Sequence, residues 1–192
     1  MKAYRIALAG LAPLFLASPV GAQGPEQTAQ LTEASRAIAG QMIQTLGGEL
    51  KQALQNGGPV NAISVCKEKA PKIAAAIAAE KNVGLRRVTT KSRNPNSVPD
   101  AWEAKVLQDF EQRLAKGEAP TGLEYGEVVD DGKTFRYMKG LVTQGVCMSC
   151  HGTKETIPEA VQAKLAVEYP DDKATGYQPN MLRGAISLKK PL

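Results

Sequence analysis

His151 is the single histidine of this 192-residue chain. It directly follows Cys150, and two residues separate Cys150 from Cys147. A Cys-x-x-Cys-His sequence is typical of a c-type haem attachment site, where two thiols bond to the porphyrin and the imidazole binds iron. Because the sequence contains no second histidine, the other face of the iron must take a different ligand or none. We therefore predict one covalent haem c, attached through Cys147 and Cys150, with His151 as an iron ligand.

The same residues allow two other interpretations. A Cys-x-x-Cys pair also forms redox disulfides, but the surrounding sequence lacks the βαβ pattern of thioredoxin-like proteins. A zinc site of the Cys₃His type would require the third cysteine, Cys66, to converge with the attachment motif. Of the three, the haem site agrees best with the spacing and residue types.

The first 22 residues have the features of a signal peptide. Lys2 and Arg5 precede an apolar segment, residues 6–16, and Ala22 is a small residue before the expected cleavage at Gln23. The apolar segment is shorter than the roughly 20 residues that span a bilayer, and no second one follows. We expect residues 1–22 to be removed and residues 23–192 to form a single periplasmic domain with no transmembrane segment. Because bacteria attach haem c outside the cytoplasmic membrane, export and the motif support each other.

The charge of the mature chain does not favour nucleic-acid binding. Loss of the leader lowers Lys+Arg from 24 to 22 against 19 acidic residues, a formal charge of +3. Two haem carboxylates would reduce this to about +1. The charges are scattered along the sequence and form no basic block.

The order of predicted elements indicates an α+β domain in which helices flank an antiparallel sheet. A long N-terminal helix should end at Gly57-Gly58, and a second helix should begin with Asn61 as its cap. Asp131-Gly132 is a strong hairpin signal. The remaining predicted elements are a strand over 83–89, a helix from a capping box at Asp100 to about residue 116, hairpin strands over 124–130 and 133–142, a helix over 158–168 and a strand over 182–189. In the last strand, Leu182, Ile186 and Leu188 alternate with Arg183, Ser187 and Lys189, so the three apolar residues should share one face.

The second helix carries the third cysteine on its apolar face. Five residues recur at spacings of three and four, namely Ile63, Cys66, Ala70, Ile73 and Ile77. Pro71 removes one backbone donor and should kink the helix just past Cys66. This kink would let Cys66 approach the haem closely.

The ligand on the second face of the iron has several candidates. Met148 lies inside the attachment loop and cannot reach that face. The others are Cys66, Met42, Met138 and Met181. Each methionine, and Cys66 itself, also has an ordinary role in core packing. An accessible free thiol is a liability in an oxidising compartment, which favours Cys66 as a ligand, but methionine and an open site remain alternatives.

Several segments together resemble a known family. They are residues 62–74 (Ala-Ile-Ser-Val-Cys-Lys-Glu-Lys-Ala-Pro-Lys-Ile-Ala), 93–95, 99–103, 145–152, 169–177 and 183–187. The chain is similar to c-type haem proteins with a PAS-like fold and cysteine and histidine as axial ligands, a family first catalogued as a domain of unknown function. The resemblance implies a PAS-like antiparallel sheet flanked by helices, and it implies that Cys66 is the distal ligand.

Two arginines are candidate partners for the haem carboxylates. Arg93 and Arg183 each lie within a segment that carries the resemblance. The alternative is that both are ordinary surface arginines.

These ligands suggest a function in redox or gas sensing. Thiolate stabilises Fe(III), so ligation by Cys66 and His151 predicts a low-spin ferric haem of low potential. On reduction Cys66 should protonate and leave, opening a site for CO or NO. The alternative is a soluble periplasmic electron carrier that keeps both ligands. Either role needs a protein partner. We expect no enzymatic activity, because six-coordinate iron lacks an open position and no distal histidine is available.

Overall fold

A long helix opens the part of the chain that the computed structural model describes, residues 24–192. The predicted signal peptide, residues 1–22, lies outside this range. The elements follow the predicted order. The helices are α1 (Pro25–Ser64), α2 (Ala70–Lys81), α3 (Ala101–Ala115), α4 (Met148–His151) and α5 (Glu159–Glu168), and the strands are β1 (Gly84–Val88), β2 (Glu124–Val129), β3 (Thr134–Val142) and β4 (Leu182–Pro191).

The glycine pair interrupts α1, as predicted. Gly57 and Gly58 leave the helical region, and Gly58 has a φ of 67°, which glycine adopts without steric cost. The helix resumes at Pro59, a residue suited to a first helical position. The prediction that Asn61 caps this segment is wrong. Asn61 lies within the resumed helix, and its side-chain amide donates to the Ala53 carbonyl at 3.3 Å, linking the two parts of α1.

A π-helical turn, Val65–Lys69, separates α1 from α2 and contains Cys66. Pro71 follows as one of the first residues of α2, where its missing N–H costs little. The sequence predicted a kink caused by Pro71, and the structure has a wider turn of helix at this place. Turns of this kind occur mostly singly and often at functional sites.

The four strands form an antiparallel sheet in the order β1-β4-β3-β2. β2 and β3 form the predicted hairpin, in which the Lys133 amide donates to the Asp130 carbonyl at 3.2 Å. The central residues Asp131 and Gly132 have φ values of 53° and 86°, the left-handed conformation that the predicted turn requires. The capping box of α3 is also present, with Asp100 and Glu103 bonding reciprocally.

Helices cover both faces of the sheet, and a separate apolar cluster lies under each. The face toward α1 and α2 buries side chains that include Met42, Ile77, Leu85, Tyr137, Ile186 and Leu188. The face toward α3 buries side chains that include Val88, Leu107, Phe110, Met138, Leu182 and Ala185. Half-buried Trp102 packs on the α3 face. The predicted α+β fold with a long N-terminal helix is confirmed, and it is consistent with a PAS-like fold.

The alternation predicted for β4 is wrong at its start. Leu182 was expected to share a face with Ile186 and Leu188, but it packs on the α3 face while the other two pack on the α1 face. The pairing with β3 shifts here, because Leu141 pairs with Gly184 and Val142 pairs with Leu182. Arg183 is therefore the extra residue of a β-bulge, a feature that re-aims side chains beside active sites.

No helix within residues 24–192 combines the length and the apolar character needed to cross a membrane.

Candidate cofactor site

A cavity of about 290 Å³ lies on the α2 side of the sheet. Its walls come from α2, the π-helical turn, the loop after β1 and the start of β4. Four of the predicted site residues line it, namely Cys66, Arg93, His151 and Arg183. They are far apart in the sequence, so the fold brings them to one cavity.

Hydrogen bonds with backbone groups of residues 174–177 hold His151 in place. The Tyr177 amide donates to the His151 carbonyl at 2.9 Å, and the Gly176 amide donates to the Gly152 carbonyl at 2.7 Å. Nδ1 of His151 lies 2.7 Å from the Ala174 carbonyl. Because a carbonyl can only accept, Nδ1 carries the proton and Nε2 is left with a free lone pair. This is the tautomer of a histidine that binds a metal through Nε2.

The imidazole of His151 is neutral at physiological pH. Burial, together with the nearby cations Arg183 and Arg93, lowers its pKa to about 2, against the opposing effect of the Ala174 carbonyl. Metal ligation by histidine requires this neutral form. The ring therefore needs no deprotonation before it can bind a metal.

Of the candidates for the other iron ligand, two line the cavity. Half-buried Cys66 does so from the π-helical turn, and buried Met42 does so from α1. Met138 is buried on the opposite face of the sheet. Met181 is 40% exposed, and its sulfur accepts from the Gln178 amide at 3.2 Å.

Cys147 and Cys150, which the sequence predicts to attach haem, do not line the cavity. Cys147 ends a short 3₁₀ turn, Gly145–Cys147, and Cys150 lies on α4. All three cysteines are free thiols. Cys150 packs against the apolar cluster under α5, and burial raises the pKa of its thiol. Among the described residues, no three His, Cys, Asp or Glu side chains form a group that could hold a metal ion by themselves, so the Cys₃His zinc arrangement is not assembled.

Arg183 places a half-buried cation in the cavity wall. Its Nη1 donates to Thr89 Oγ1 at 3.0 Å and to the Lys91 carbonyl at 3.4 Å, but its buried Nε has no hydrogen-bond partner among residues 24–192. Burial lowers the pKa of Arg183 to about 10, and Arg87 and Arg93 contribute in the same direction. Arg183 is thus still charged at neutral pH. A buried donor without a partner is costly, so this group calls for an acceptor.

Arg93 also lines the cavity, but protein groups already bind much of its guanidinium. Its Nε donates to Asp172 Oδ2 at 3.0 Å, and its Nη2 donates to the Cys150 carbonyl at 2.5 Å. The pair with Asp172 is largely buried. Arg93 therefore has a structural partner, whereas Arg183 does not.

The cavity has an excess of positive charge. Four arginines and no carboxylate are among its lining residues in the described part of the chain. Arg86 pairs with Glu103 and Arg93 pairs with Asp172, but within residues 24–192 neither Arg87 nor Arg183 forms an ion pair. Arg87 was not one of the two arginines selected from the sequence, although it shares a face of β1 with cavity-lining Leu85, two residues away. The alternation of side chains along β1 was the sequence signal from which the position of Arg87 could have been predicted.

The donor set fits haem. The cavity offers a neutral imidazole with a free lone pair and a thiol, both ligands of haem iron. It also offers two arginines without acidic partners, which suit the two carboxylates of a porphyrin. The orphaned Nε of Arg183 is the observation in this structure that asks for such an anionic group.

Comparison with known proteins agrees with this fold. No curated protein matches the chain. The crystal structure of the cyanobacterial heme-protein Tll0287 is similar, with a TM-score of 0.60 and 26% sequence identity, over 88% of this chain and 96% of that one. The model of the Tll0287-like family matches residues 25–191, nearly the whole of the described chain. The chain belongs to the Tll0287-like family.

Proposed function

We propose that this protein is a periplasmic c-type cytochrome with one haem that acts in redox or gas sensing. Haem is bonded to Cys147 and Cys150, and its iron is coordinated by His151 and Cys66. The observation that carries the proposal is that Cys66 and His151, whose Nε2 has a free lone pair, line one cavity next to the Cys-x-x-Cys-His motif. The likeness to a heme-protein supports it.

The protein supplies the cofactor with two ligands and a counter-charge. His151 provides a neutral nitrogen, and Cys66 provides a thiolate, which favours the ferric state and a low potential. Arg183, with Arg87 beside it, faces the haem carboxylates. When bound, the haem supplies one-electron redox chemistry and an affinity for CO and NO. We propose no catalytic role.

The two ligands differ in how firmly the backbone holds them, which favours a sensor over an electron carrier. Hydrogen bonds from residues 174–177 fix the His151 segment on several sides. Cys66 lies in a π-helical turn between the Gly57-Gly58 break and Pro71, an irregular stretch of backbone. A releasable ligand opposite a fixed one is the arrangement a gas-binding switch needs, with a separate protein partner to receive the signal.

Spectra of the purified holoprotein test this proposal. We would record optical and EPR spectra of the oxidised and reduced protein, with and without CO, for the wild type, Cys66→Ala and Met42→Leu. Met42 is the matched control because it lines the same cavity. Thiolate-type low-spin ferric signals should disappear in Cys66→Ala alone, and the reduced wild type should bind CO.

Three results would contradict parts of the proposal. Loss of the low-spin signals only in Met42→Leu would assign methionine as the ligand. A reduced wild type that keeps both ligands and excludes CO would indicate an electron carrier. Recovery of the full chain from the cytoplasm, without covalent haem, would contradict the proposed export and attachment.

A further inference from the structure

The guanidinium of Arg93 contacts two backbone carbonyls next to His151. Nη2 of Arg93 donates to the Cys150 carbonyl at 2.5 Å and makes a longer contact of 3.4 Å with the Ala174 carbonyl. The Ala174 carbonyl is also the acceptor of His151 Nδ1, at 2.7 Å. Arg93 therefore contacts the residue before the histidine and the group that orients its ring.

Asp172 holds this arrangement from the other side. Its Oδ2 accepts from Arg93 Nε at 3.0 Å, and its Oδ1 accepts from the Ala174 amide at 2.8 Å. The side chains of Arg93 and Asp172 are only 8% and 12% exposed, so solvent screens their attraction weakly. One carboxylate thus binds both the arginine and the residue that carries the histidine's acceptor.

We propose that Arg93, held by Asp172, is a positioning residue that fixes the imidazole of His151 and moderates the strength of its Nδ1 hydrogen bond. The inference rests on the proposed coordination of haem iron by His151. It gives Arg93 a role different from that of Arg183, whose Nε has no partner.

The consequence for the iron follows from the shared carbonyl. A stronger acceptor at Nδ1 makes the imidazole a more basic ligand, which favours Fe(III). A cation that contacts the same carbonyl weakens it as an acceptor. Loss of Arg93 should therefore lower the reduction potential, both by strengthening the acceptor and by removing a positive charge.

Redox titration of the holoprotein tests the proposal with Arg93→Met and Asp172→Asn. Arg113→Met is the control, because Arg113 lies on α3 at the opposite face of the sheet and pairs with Glu118. In Arg93→Met, the equilibrium constant for one-electron reduction should fall about tenfold, so the reduction potential should fall by about 59 mV. Tenfold is the lower end of the effects seen when a hydrogen-bond partner of a metal ligand is replaced. Arg113→Met should not change it.

Asp172→Asn separates positioning from simple charge. Removing a negative charge near iron would raise the potential, whereas releasing Arg93 from its anchor should lower it and broaden the EPR signals. A fall in the potential supports the positioning role of Arg93, and a rise overturns it.

Arg93→Lys replaces Arg93→Met as the test variant if Arg93→Met does not fold. It keeps the charge, but its single ammonium cannot serve all the acceptors at once, so we expect only part of the wild-type potential to return.

A second readout separates this inference from the proposed function. Because the chain has one histidine, labelling with [¹⁵N]histidine gives the imidazole signals of His151 alone. The Nδ1 proton exchanges with solvent only when this segment opens. Loss of the contacts of Arg93 with Asp172 and the Cys150 carbonyl should make opening more frequent, so exchange should be faster in Arg93→Met than in wild type, whether or not haem is attached. Unchanged exchange and potential in haem-loaded variants would overturn the role of Arg93. If the wild type carries no covalent haem but exchange is still faster in Arg93→Met, the proposed function is overturned, while the role of Arg93 in positioning His151 is supported.

Discussion

A buried carboxylate and a half-buried guanidinium lie near opposite faces of the same sheet, and their surroundings differ. On the α3 face, the carboxylate of Glu103 accepts from Arg86 Nη2 at 2.5 Å, from Ser187 Oγ at 2.6 Å and from the Asp100 amide at 2.8 Å. On the α2 face, Arg183 has no acidic partner among the described residues, and its Nε has no acceptor.

The difference separates a structural charge from a binding one. Glu103 is satisfied by the protein alone, so it can stabilise the fold without any ligand. The buried Nε of Arg183 is not satisfied, so its removal from water costs stability until an anion supplies the missing partner. A charged group with an unsatisfied buried donor is therefore a better guide to the ligand site than a charge that the protein already satisfies.

The largest effect on stability should come from Glu103→Ala. It leaves Arg86 and Ser187 without their acceptor, and we expect a loss of about 3 kcal/mol, the lower end for a broken buried pair because Arg86 is partly exposed. Urea unfolding measures the free energy of unfolding. The haem spectrum should not change. A loss below about 1 kcal/mol would show that Glu103 is not the structural charge that the comparison requires.

The same carboxylate predicts a pH dependence. Burial alone would raise the pKa of Glu103, but hydrogen bonds from Arg86 and Ser187 outweigh it, and the pKa is lowered. Its contribution to stability is therefore full above the unfolded value, about 4.3, and is lost as the pH falls through the lower folded pKa. Below pH 4 the stability of the wild type and that of Glu103→Ala should converge. Parallel curves at acid pH would contradict this.

Arg183→Met should have opposite effects in two forms of the protein. Without haem, made by replacing Cys147 and Cys150 with serine, removal of the unpaired cation should raise stability by about 1 kcal/mol. With haem, the loss of a charged partner for a carboxylate should lower stability by about 1.5 kcal/mol. Thermal or urea unfolding of both forms measures this. Changes of equal sign and size would mean that Arg183 does not meet the cofactor.

Asp100→Ala should have the smallest effect. Asp100 caps α3 by accepting from the Glu103 amide at 2.9 Å, and loss of such a cap costs about 1 kcal/mol. The reduction potential should stay at its wild-type value, since the cap lies on the α3 face. If Asp100→Ala lowers the free energy of unfolding as much as Glu103→Ala does, the helix cap rather than the buried carboxylate is the main stabilising feature of the α3 face.

Local signals were enough to predict most elements of this fold, and they failed where the backbone departs from regular geometry. Asp131-Gly132 and the capping box at Asp100 act over a few residues, so the sequence displays them directly. The direction of Arg183 depends on a bulge that regular alternation does not anticipate. Asn61 looked like a cap because its contact with Ala53 in the other part of α1 cannot be read from its neighbours.

The candidate site was predictable in its chemistry and less so in its contacts. Because cysteine and histidine are metal ligands, the sequence predicted roles for Cys66 and His151, and the fold places both in the wall of one cavity. Asp172, the partner of Arg93, is 79 residues away along the chain. No short pattern links them, so sequence reasoning grouped Arg93 with Arg183.

The central place of β4 in the sheet bears on the order in which the protein is assembled. β4 lies between β1 and β3, yet it follows all other strands and the Cys-x-x-Cys-His motif along the chain. A chain that emerges from its N-terminus therefore exposes Cys147 and Cys150 before the strand that fills this central position. Pairing of distant strands is also slow compared with local structure. The arrival of β4 then completes both the sheet and the part of the cavity wall that contains Arg183.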